Sequence, residues 1–286
     1  MKSIWLIANG RSGSTGEEGI RATREKMEAL GASVTRFIDL ADEDLPDSGD
    51  APPDAIASLG GDGTAHAVIA RYGPDGRLPL MILPGGTMNL LSGKLHGRDA
   101  DVDMILEKLL HGPVRECRMP LLKGPGFASL VGVIAGPATA WGEVRENLRG
   151  GGLGAMLEKI RKAFDQTFGG ARIRIAGMAG NHSAIFIEPR ADGLLHALSV
   201  RTEGLGDLAA HGWAWLNRDF LGGPTEKLTE NRTLTLEGRG RRIGLLVDGE
   251  RRKADGPLRL EWAECPARFL ATMEEGTAGE EEVGGG

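Results

Sequence analysis

The sequence predicts an α/β N-terminal domain with a mostly parallel sheet, joined to a β-rich, sandwich-like C-terminal domain. Residues 1 to about 112 alternate short apolar runs with helix-period segments, the pattern of βα units. After Pro113 strand-like runs dominate. In the first part, apolar runs break abruptly into glycine strings, as strands do where a sheet presents backbone N–H groups to an anion.

Each element has its own reason. Ile4 to Ala8 is a compact apolar run, a buried strand. Glu17 to Leu30 places Ile20, Met27 and Leu30 on one face and stops at Gly31, so it reads as a helix. Ser33 to Ile38 is the next strand, and Asp42 to Pro53 is an acidic, proline-containing loop. Then come a strand at Asp54 to Leu59, a helix at Thr64 to Tyr72, a strand at Leu80 to Leu83 and a helix starting over Asn89 to Leu95. The helix Asp101 to Leu110 ends at Gly112-Pro113. The later strands are expected at Val114 to Leu122, Ala128 to Ile134, Arg172 to Ala176, Ala184 to Ile187, Leu195 to Arg201, Arg232 to Leu236, Ile243 to Val247 and Leu258 to Trp262. Helical inserts are expected at about 140–168 and 205–221. The implied domains are 1–113 and 114–264, with a disordered acidic tail over 274–286.

The 286 residues are 41% hydrophobic and 26% charged, ordinary for a globular enzyme. Net charge is −6, but five glutamates lie in the last thirteen residues, so the rest is nearly neutral and argues against nucleic acid as a partner. The two cysteines, Cys117 and Cys265, and six unclustered histidines support neither a disulfide framework nor a zinc site. The first apolar run is too short for a signal segment, and none reaches the roughly 18 residues of a membrane span, so a cytoplasmic protein is expected.

The chemistry centres on Gly60-Gly61-Asp62-Gly63-Thr64 and, one unit later, Gly85-Gly86-Thr87-Met88-Asn89. Glycines let the main chain approach an anion with no Cβ in the way. Thr64 is placed to cap the next helix, whose N-terminal dipole favours phosphate, and Asp62 can hold a water or Mg²⁺. Thr87 and Asn89 can bond phosphate, ribose or the first loop. Asn9-Gly10-Arg11-Ser12-Gly13-Ser14 adds a third polar loop at the first strand end. Three neighbouring strand ends facing one crevice are where an open α/β sheet binds a nucleotide. A capped turn is the plainer account of each string taken singly. GxxxxGK[ST] is absent, and the other glycine clusters lack the context of GxGxxG, which argues against P-loop NTPases and dinucleotide dehydrogenases.

The first loop with Asn9, Ser12 and Gly13, the strings Gly60 to Thr64 and Gly85 to Asn89, and a late Val247-Asp248-Gly249-Glu250 together resemble the diacylglycerol kinase catalytic family. That family includes soluble bacterial lipid kinases and sphingosine kinases, and shares its first glycine string with NAD kinases and 6-phosphofructokinases. The resemblance spans nearly the whole chain in order. It implies a nucleotide-binding α/β domain and a β-sandwich acceptor domain, with ATP and Mg²⁺ between them and phosphorylation of a lipid hydroxyl. It further implies that residues 265–273 return to the first domain. Three departures stand out: Gly10 where relatives usually carry Pro, Leu90 where many carry Asp, and a segment 130–137 without the Gly-x-Asp element often found there.

Asp248 and Glu250 lie one residue apart and point to the same side if the strand stays extended. By resemblance Glu250 accepts the proton of the attacking hydroxyl, while Asp248 orients it or a metal. A hairpin turn with a solvated Glu is the alternative. In Glu188 to Leu194 the resemblance makes Asp192 a Mg²⁺ ligand beside the carbonyls of Pro189 and Leu194; a plain turn fits equally. Arg239, Arg241, Arg242, Arg251, Arg252 and Lys253 flank the strand of Glu250 and read either as solvated hairpin ends or as contacts for phosphates. Trp213, Trp215, Leu216, Phe220 and Leu221 read either as core or as an acyl-chain contact. The expected function is a lipid kinase using ATP and Mg²⁺ and meeting its substrate by peripheral contact at the membrane surface. Exposed strand edges are compatible with a homodimer. A kinase of a soluble substrate such as NAD, and a nucleotide-binding regulator without catalysis, are the competing readings.

Overall fold

The computed structural model describes residues 1–10, 15–47, 49, 51–86, 89–136, 172–182, 184–200, 225–238, 241–248 and 250–273. The chain divides into two compact units, Met1–Met119 with Cys265–Gly286, and Pro120–Glu264.

In the first unit β1 (Ser3–Ala8), α1 (Gly16–Ala29), β2 (Ser33–Asp39), β3 (Ala55–Gly60), α2 (Asp62–Tyr72), β4 (Pro79–Pro84), α3 (Leu90–His96), α4 (Val102–His111) and β5 (Arg115–Cys117) follow in order. They are joined at the end of the chain by β17 (Arg268–Ala271). The sheet runs β2-β1-β3-β4-β17-β5, parallel throughout except where β5 meets β17. Strands buried on both faces read as continuous apolar runs, which is why β1, β3 and β4 are legible. Alternate residues of those strands pack under Ile20 and Met27 of α1 and Ile105, Leu106 and Leu109 of α4. On the opposite face Trp5 meets Tyr72 of α2 edge to face at 6.4 Å, and Ser92 of α3 donates its hydroxyl to the Ile82 carbonyl. The C-terminal segment is seated by Arg268, whose guanidinium donates to both oxygens of Glu116 at 2.5 and 2.6 Å.

The second unit holds β6 (Pro120–Gly124), β7 (Phe127–Ser129), β8 (Val133–Gly136), β9 (Ile173–Ile175), β10 (Ala184–Pro189), β11 (Leu195–Val200), β12 (Thr225–Asn231), β13 (Thr233–Gly238), β14 (Arg242–Val247), β15 (Glu250–Asp255) and β16 (Leu258–Glu264). They form two antiparallel sheets, β12-β11-β10-β8-β14-β15 and β7-β6-β16-β13-β9. Inward residues of both sheets, among them Leu122, Val133, Ile185, Leu236, Leu245 and Leu260, share one apolar core.

Several expected elements differ. Val114 to Leu122 is two strands rather than one: β5 belongs to the first unit and β6 to the second, the chain passing between them at Arg118-Met119. Pro120, which has no N–H to give a ladder, is the first residue of β6. Ala128 to Ile134 also divides, into β7 and β8, which lie in different sheets. The break falls at Gly132, whose φ of +151° is open to glycine but not to a residue with a Cβ. The strands β12 and β15 were not anticipated: each closes an edge of its sheet and carries charged residues rather than an apolar run. Charges on edge strands discourage pairing with other chains, and they erase the apolar signal. The helical inserts at about 140–168 and 205–221, the aromatic residues Trp213 to Leu221 and the tail 274–286 lie outside the described residues. Among the described residues no helix is long and apolar enough to cross a membrane.

Candidate functional site

At the carboxyl ends of β3 and β4 the two glycine strings pack directly on each other. The N–H of Gly85 donates to the Gly60 carbonyl at 3.0 Å. A Cβ on Gly86 would lie 2.4 Å from the Cα of Gly61, and one on Gly85 would lie 2.8 Å from the N of Gly60. At these positions glycine is needed for the loops to touch, a reason distinct from room for an anion. A Cβ on Gly60 would collide with the Thr64 hydroxyl at 2.6 Å, so Thr64 is a buried packing partner. It is not the helix cap: α2 starts at Asp62, Gly61 occupies the N-cap position, and no side chain caps that end. Gly63 differs from its neighbours, for a Cβ there would meet nothing within 4 Å.

Asp62 and Asn89 organise this pair of loops. Asp62 is buried, and its carboxylate accepts the N–H groups of Leu90 at 3.3 Å and Leu91 at 3.0 Å, which seats the start of α3. Asn89 adopts a left-handed backbone at φ +54°, a conformation Asn tolerates better than most residues. Its Oδ1 accepts from the N–H of Gly85 and of Gly86 at 3.1 and 2.8 Å, and its Nδ2 donates to the Gly86 carbonyl at 2.9 Å. The side chain is therefore engaged with its own loop. Thr87 lies outside the described residues, as do Ser12 and Gly13. Asn9 follows β1 and is half-buried. Thr15 reaches across to this arrangement, its hydroxyl donating to the Gly85 carbonyl. Thr15 and Asp39, whose Oδ1 accepts the Gly10 N–H at 3.1 Å, were not anticipated: neither belongs to a recognisable string, and only the closing of the sheet makes them neighbours of one.

In the second unit Asp248 sits in the turn between β14 and β15, buried, with φ at +45°. Its Oδ1 accepts from the Ser129 hydroxyl at 2.5 Å and from the N–H groups of Val131 and Gly132 at 3.2 and 3.3 Å. Ser129 ends β7, and Val131 and Gly132 lie between β7 and β8. The Ser129 Oγ also accepts the Gly132 N–H at 2.7 Å, closing a small network. No motif points to Ser129, which lies 119 residues from its partner. Glu250 is the first residue of β15 and pairs with Val247; its side chain lies outside the described part.

Asp192, the other expected Mg²⁺ ligand, is engaged with its own turn and with His196. Its Oδ1 accepts the Leu194 N–H at 3.0 Å and its Oδ2 faces Nε2 of His196 at 2.6 Å, while the Leu194 carbonyl is taken by the Arg190 N–H. Burial raises the Asp192 pKa, but the bonds from His196 and Leu194 outweigh it and hold the carboxyl below its usual range. The other ring nitrogen of His196 meets Glu230 at 3.0 Å. Among the described residues no three His, Cys, Asp or Glu side chains gather into a metal site.

Residues 3–120 match the model of the diacylglycerol kinase catalytic domain, so the resemblance first seen in the loops is shown over that stretch. A crystal structure of a diacylglycerol kinase from Bacillus anthracis str. Sterne is similar with a TM-score of 0.59 at 16% identity, covering 95% of this chain and 97% of that one. Two structures of candidate diacylglycerol kinases from the same strain match at TM-scores of 0.61 and 0.58, with 16% and 18% identity and the same coverage. At such identity these neighbours speak for the fold. No curated protein matches the chain.

Proposed function

We propose that the chain is an ATP-dependent kinase of a lipid hydroxyl, of the diacylglycerol or sphingoid kind. The observation that carries this is the conjunction of the domain match over 3–120 with an uncapped α2 N-terminus, where Gly63 is the one glycine of the two strings whose missing Cβ leaves open space. An uncapped helix start offers N–H groups and a positive dipole end to a phosphate. In this reading the main chain of Gly61 to Thr64 holds phosphate, while Asn9, Ser12, Gly13 and Thr87 complete the loops around it. Gly60, Gly85, Gly86 and Asn89 shape the loops rather than contact the ligand.

Asp192 is kept as a Mg²⁺ ligand by resemblance, and Asp62 by the carboxylate it sets at the loop pair. Bound there, Mg²⁺ would supply charge neutralisation on the phosphates. Glu250 accepts the proton from the lipid hydroxyl as it attacks the γ-phosphate. Asp248, buried and bonded to the 129–132 segment, positions the turn that leads to Glu250 and does not itself touch the reactants.

Incubating the protein with labelled ATP, Mg²⁺ and a total lipid extract, beside the E250Q form, tests the proposal. Expected are a labelled lipid and a fall in turnover of roughly 10² or more for E250Q, with ATP affinity unchanged within about twofold. Label appearing only in water-soluble acceptors such as NAD would move the assignment to a soluble substrate. ATP binding with no transfer to any acceptor would make the chain a regulator.

A further inference from the structure

We infer that α3 is a strut through which the segment after β17 sets the second glycine loop, with His96 and Thr272 as the positioning residues at its far end. This rests on the nucleotide-binding reading above and names residues outside the loops on which their geometry depends.

α3 has seven residues, about two turns, too few to hold a place by helix propensity. Its position is therefore set by what grips it. At its start the Asp62 carboxylate accepts the N–H groups of Leu90 and Leu91. In its middle the Ser92 hydroxyl holds it on β4 through the Ile82 carbonyl at 3.0 Å. At its end the Leu95 carbonyl, one of the acceptors a helix C-terminus leaves open, takes the N–H groups of Thr272 at 3.1 Å and Met273 at 3.3 Å. Those two residues directly follow β17, which pairs with β4.

His96 closes this junction. It is buried, its Nδ1 lies 3.1 Å from the Thr272 hydroxyl, and among the described residues its Nε2 meets no hydrogen-bond partner. A ring with one nitrogen unmatched in the interior is tolerated only neutral and in a fixed seat. Burial lowers its pKa to about 4; the Ile82 carbonyl of β4 opposes that shift, and Lys108 of α4 adds to it. Lys94 and Arg98 lie two residues before and after it, and Arg115 of β5 donates to the Met273 carbonyl at 3.4 Å. An imidazolium would stand among these cations, so taking up a proton requires the junction to open.

The near end of α3 is the loop itself. Asn89, the residue before the helix, holds Gly85 and Gly86 through three hydrogen bonds, and its own carbonyl accepts the Gly93 N–H at 2.8 Å. A shift of α3 at His96 is therefore carried to Asn89 and to the two N–H groups that Asp62 gathers. The same two residues, Asp62 and Asn89, fix the paired glycine strings. The seat of His96 on Thr272 is in this way read at the phosphate loops, although neither residue belongs to them.

Kinetics and amide exchange of the full chain, T272V, T272S and H96N test the inference. T272V is expected to raise the KM for ATP roughly fivefold, the scale of one hydrogen bond, with kcat kept within about twofold, and T272S, which keeps the hydroxyl, to restore it. The Leu90 and Leu91 amides, at the other end of α3, are expected to lose protection together with those of Thr272 and Met273 in T272V. Below 6.5 the opened junction binds a proton that the closed one resists, so in the native chain the four amides should also lose protection together, roughly tenfold between about pH 7 and pH 5 after correction for intrinsic exchange. H96N, which can bond Thr272 but does not titrate, should show no such fall. Leu90 and Leu91 staying protected while Thr272 and Met273 open would overturn the strut, and an unchanged KM in T272V would overturn the positioning role. Failure of the native chain to bind ATP would instead remove the nucleotide reading, with the exchange data still deciding whether α3 moves as one piece.

Discussion

The glycine loops of the first unit and the β14–β15 turn of the second solve the same problem over different spans of chain. In the loops Asn89 gathers N–H groups three and four residues away, and Asp62 gathers two that are 28 and 29 residues away. In the turn Asp248 gathers donors 116 to 119 residues away. Both use a short acceptor side chain to fix main chain where regular structure stops, meeting the demand that buried N–H groups be paired. The first arrangement repeats over one βα unit and so leaves a local string. The second exists only because β8 and β14 are neighbours in a sheet.

The comparison breaks first at the glycines. Ala at Gly86 would place its Cβ 2.4 Å from the Gly61 Cα and 2.9 Å from its N, main-chain atoms that cannot step aside. A loss of about 1–3 kcal/mol is expected, seen as a lower urea midpoint. G63A, with open space around the new Cβ, should instead hold or gain about 0.4–1 kcal/mol while weakening ATP binding. If both variants behave alike, the division between loop-shaping and ligand-facing glycines is wrong.

His96 tests the scaffold on the loop side, since it ends α3, whose first N–H groups the Asp62 carboxylate accepts. It is 4% exposed, its Nδ1 lies 3.1 Å from the Thr272 hydroxyl, and burial pushes its pKa down to about 4 from the usual 6.5. The unfolded chain therefore binds this proton first as pH falls, so the stabilising contribution is full above pH 6.5 and is lost between 6.5 and 4. The loss amounts to about 3 kcal/mol at the most. Urea midpoints measured across that range should fall, and H96N should flatten the slope; a native profile without slope would refute the buried neutral imidazole.

On the turn side, D248A is expected to lower turnover roughly tenfold to a hundredfold with ATP affinity nearly kept, because a misplaced catalytic group costs rate more than binding. D248N, which tolerates positive φ and keeps an acceptor oxygen, should recover most of it. S129A should show the smallest loss, a few-fold, as two main-chain donors to Asp248 remain. Loss of ATP affinity equal to loss of turnover would mean that Asp248 serves the fold alone.

The legibility of the molecule follows the same line. The alternation of β1, α1, β2, β3, α2, β4 and α4 was readable, since a buried parallel strand is apolar throughout and its covering helix has one apolar face. The split of Val114 to Leu122 was not: an apolar run does not announce that its two halves serve different cores. The expectation that Thr64 caps α2 failed for a steric reason, because the space beside Gly60 admits the Thr64 side chain and the helix begins two residues earlier. Nor could residue types alone show that His196 lies between Asp192 and Glu230, an arrangement made by the strand pairing that brings His196 and Glu230 level.

By itself the sequence determined the βα order of the first unit, the strand-rich character of the second and the residues from which a phosphate loop can be built. These are properties of short segments, set by apolar periodicity and by the freedom of glycine. Tertiary structure alone decided that Gly85 and Gly86 press on Gly60 and Gly61, that Asp39 is aimed by Gly10, and that Asp248 is held by the chain around Ser129. Each of these depends on which strands lie side by side, and hydrogen bonds between residues far apart in sequence carry no local signature.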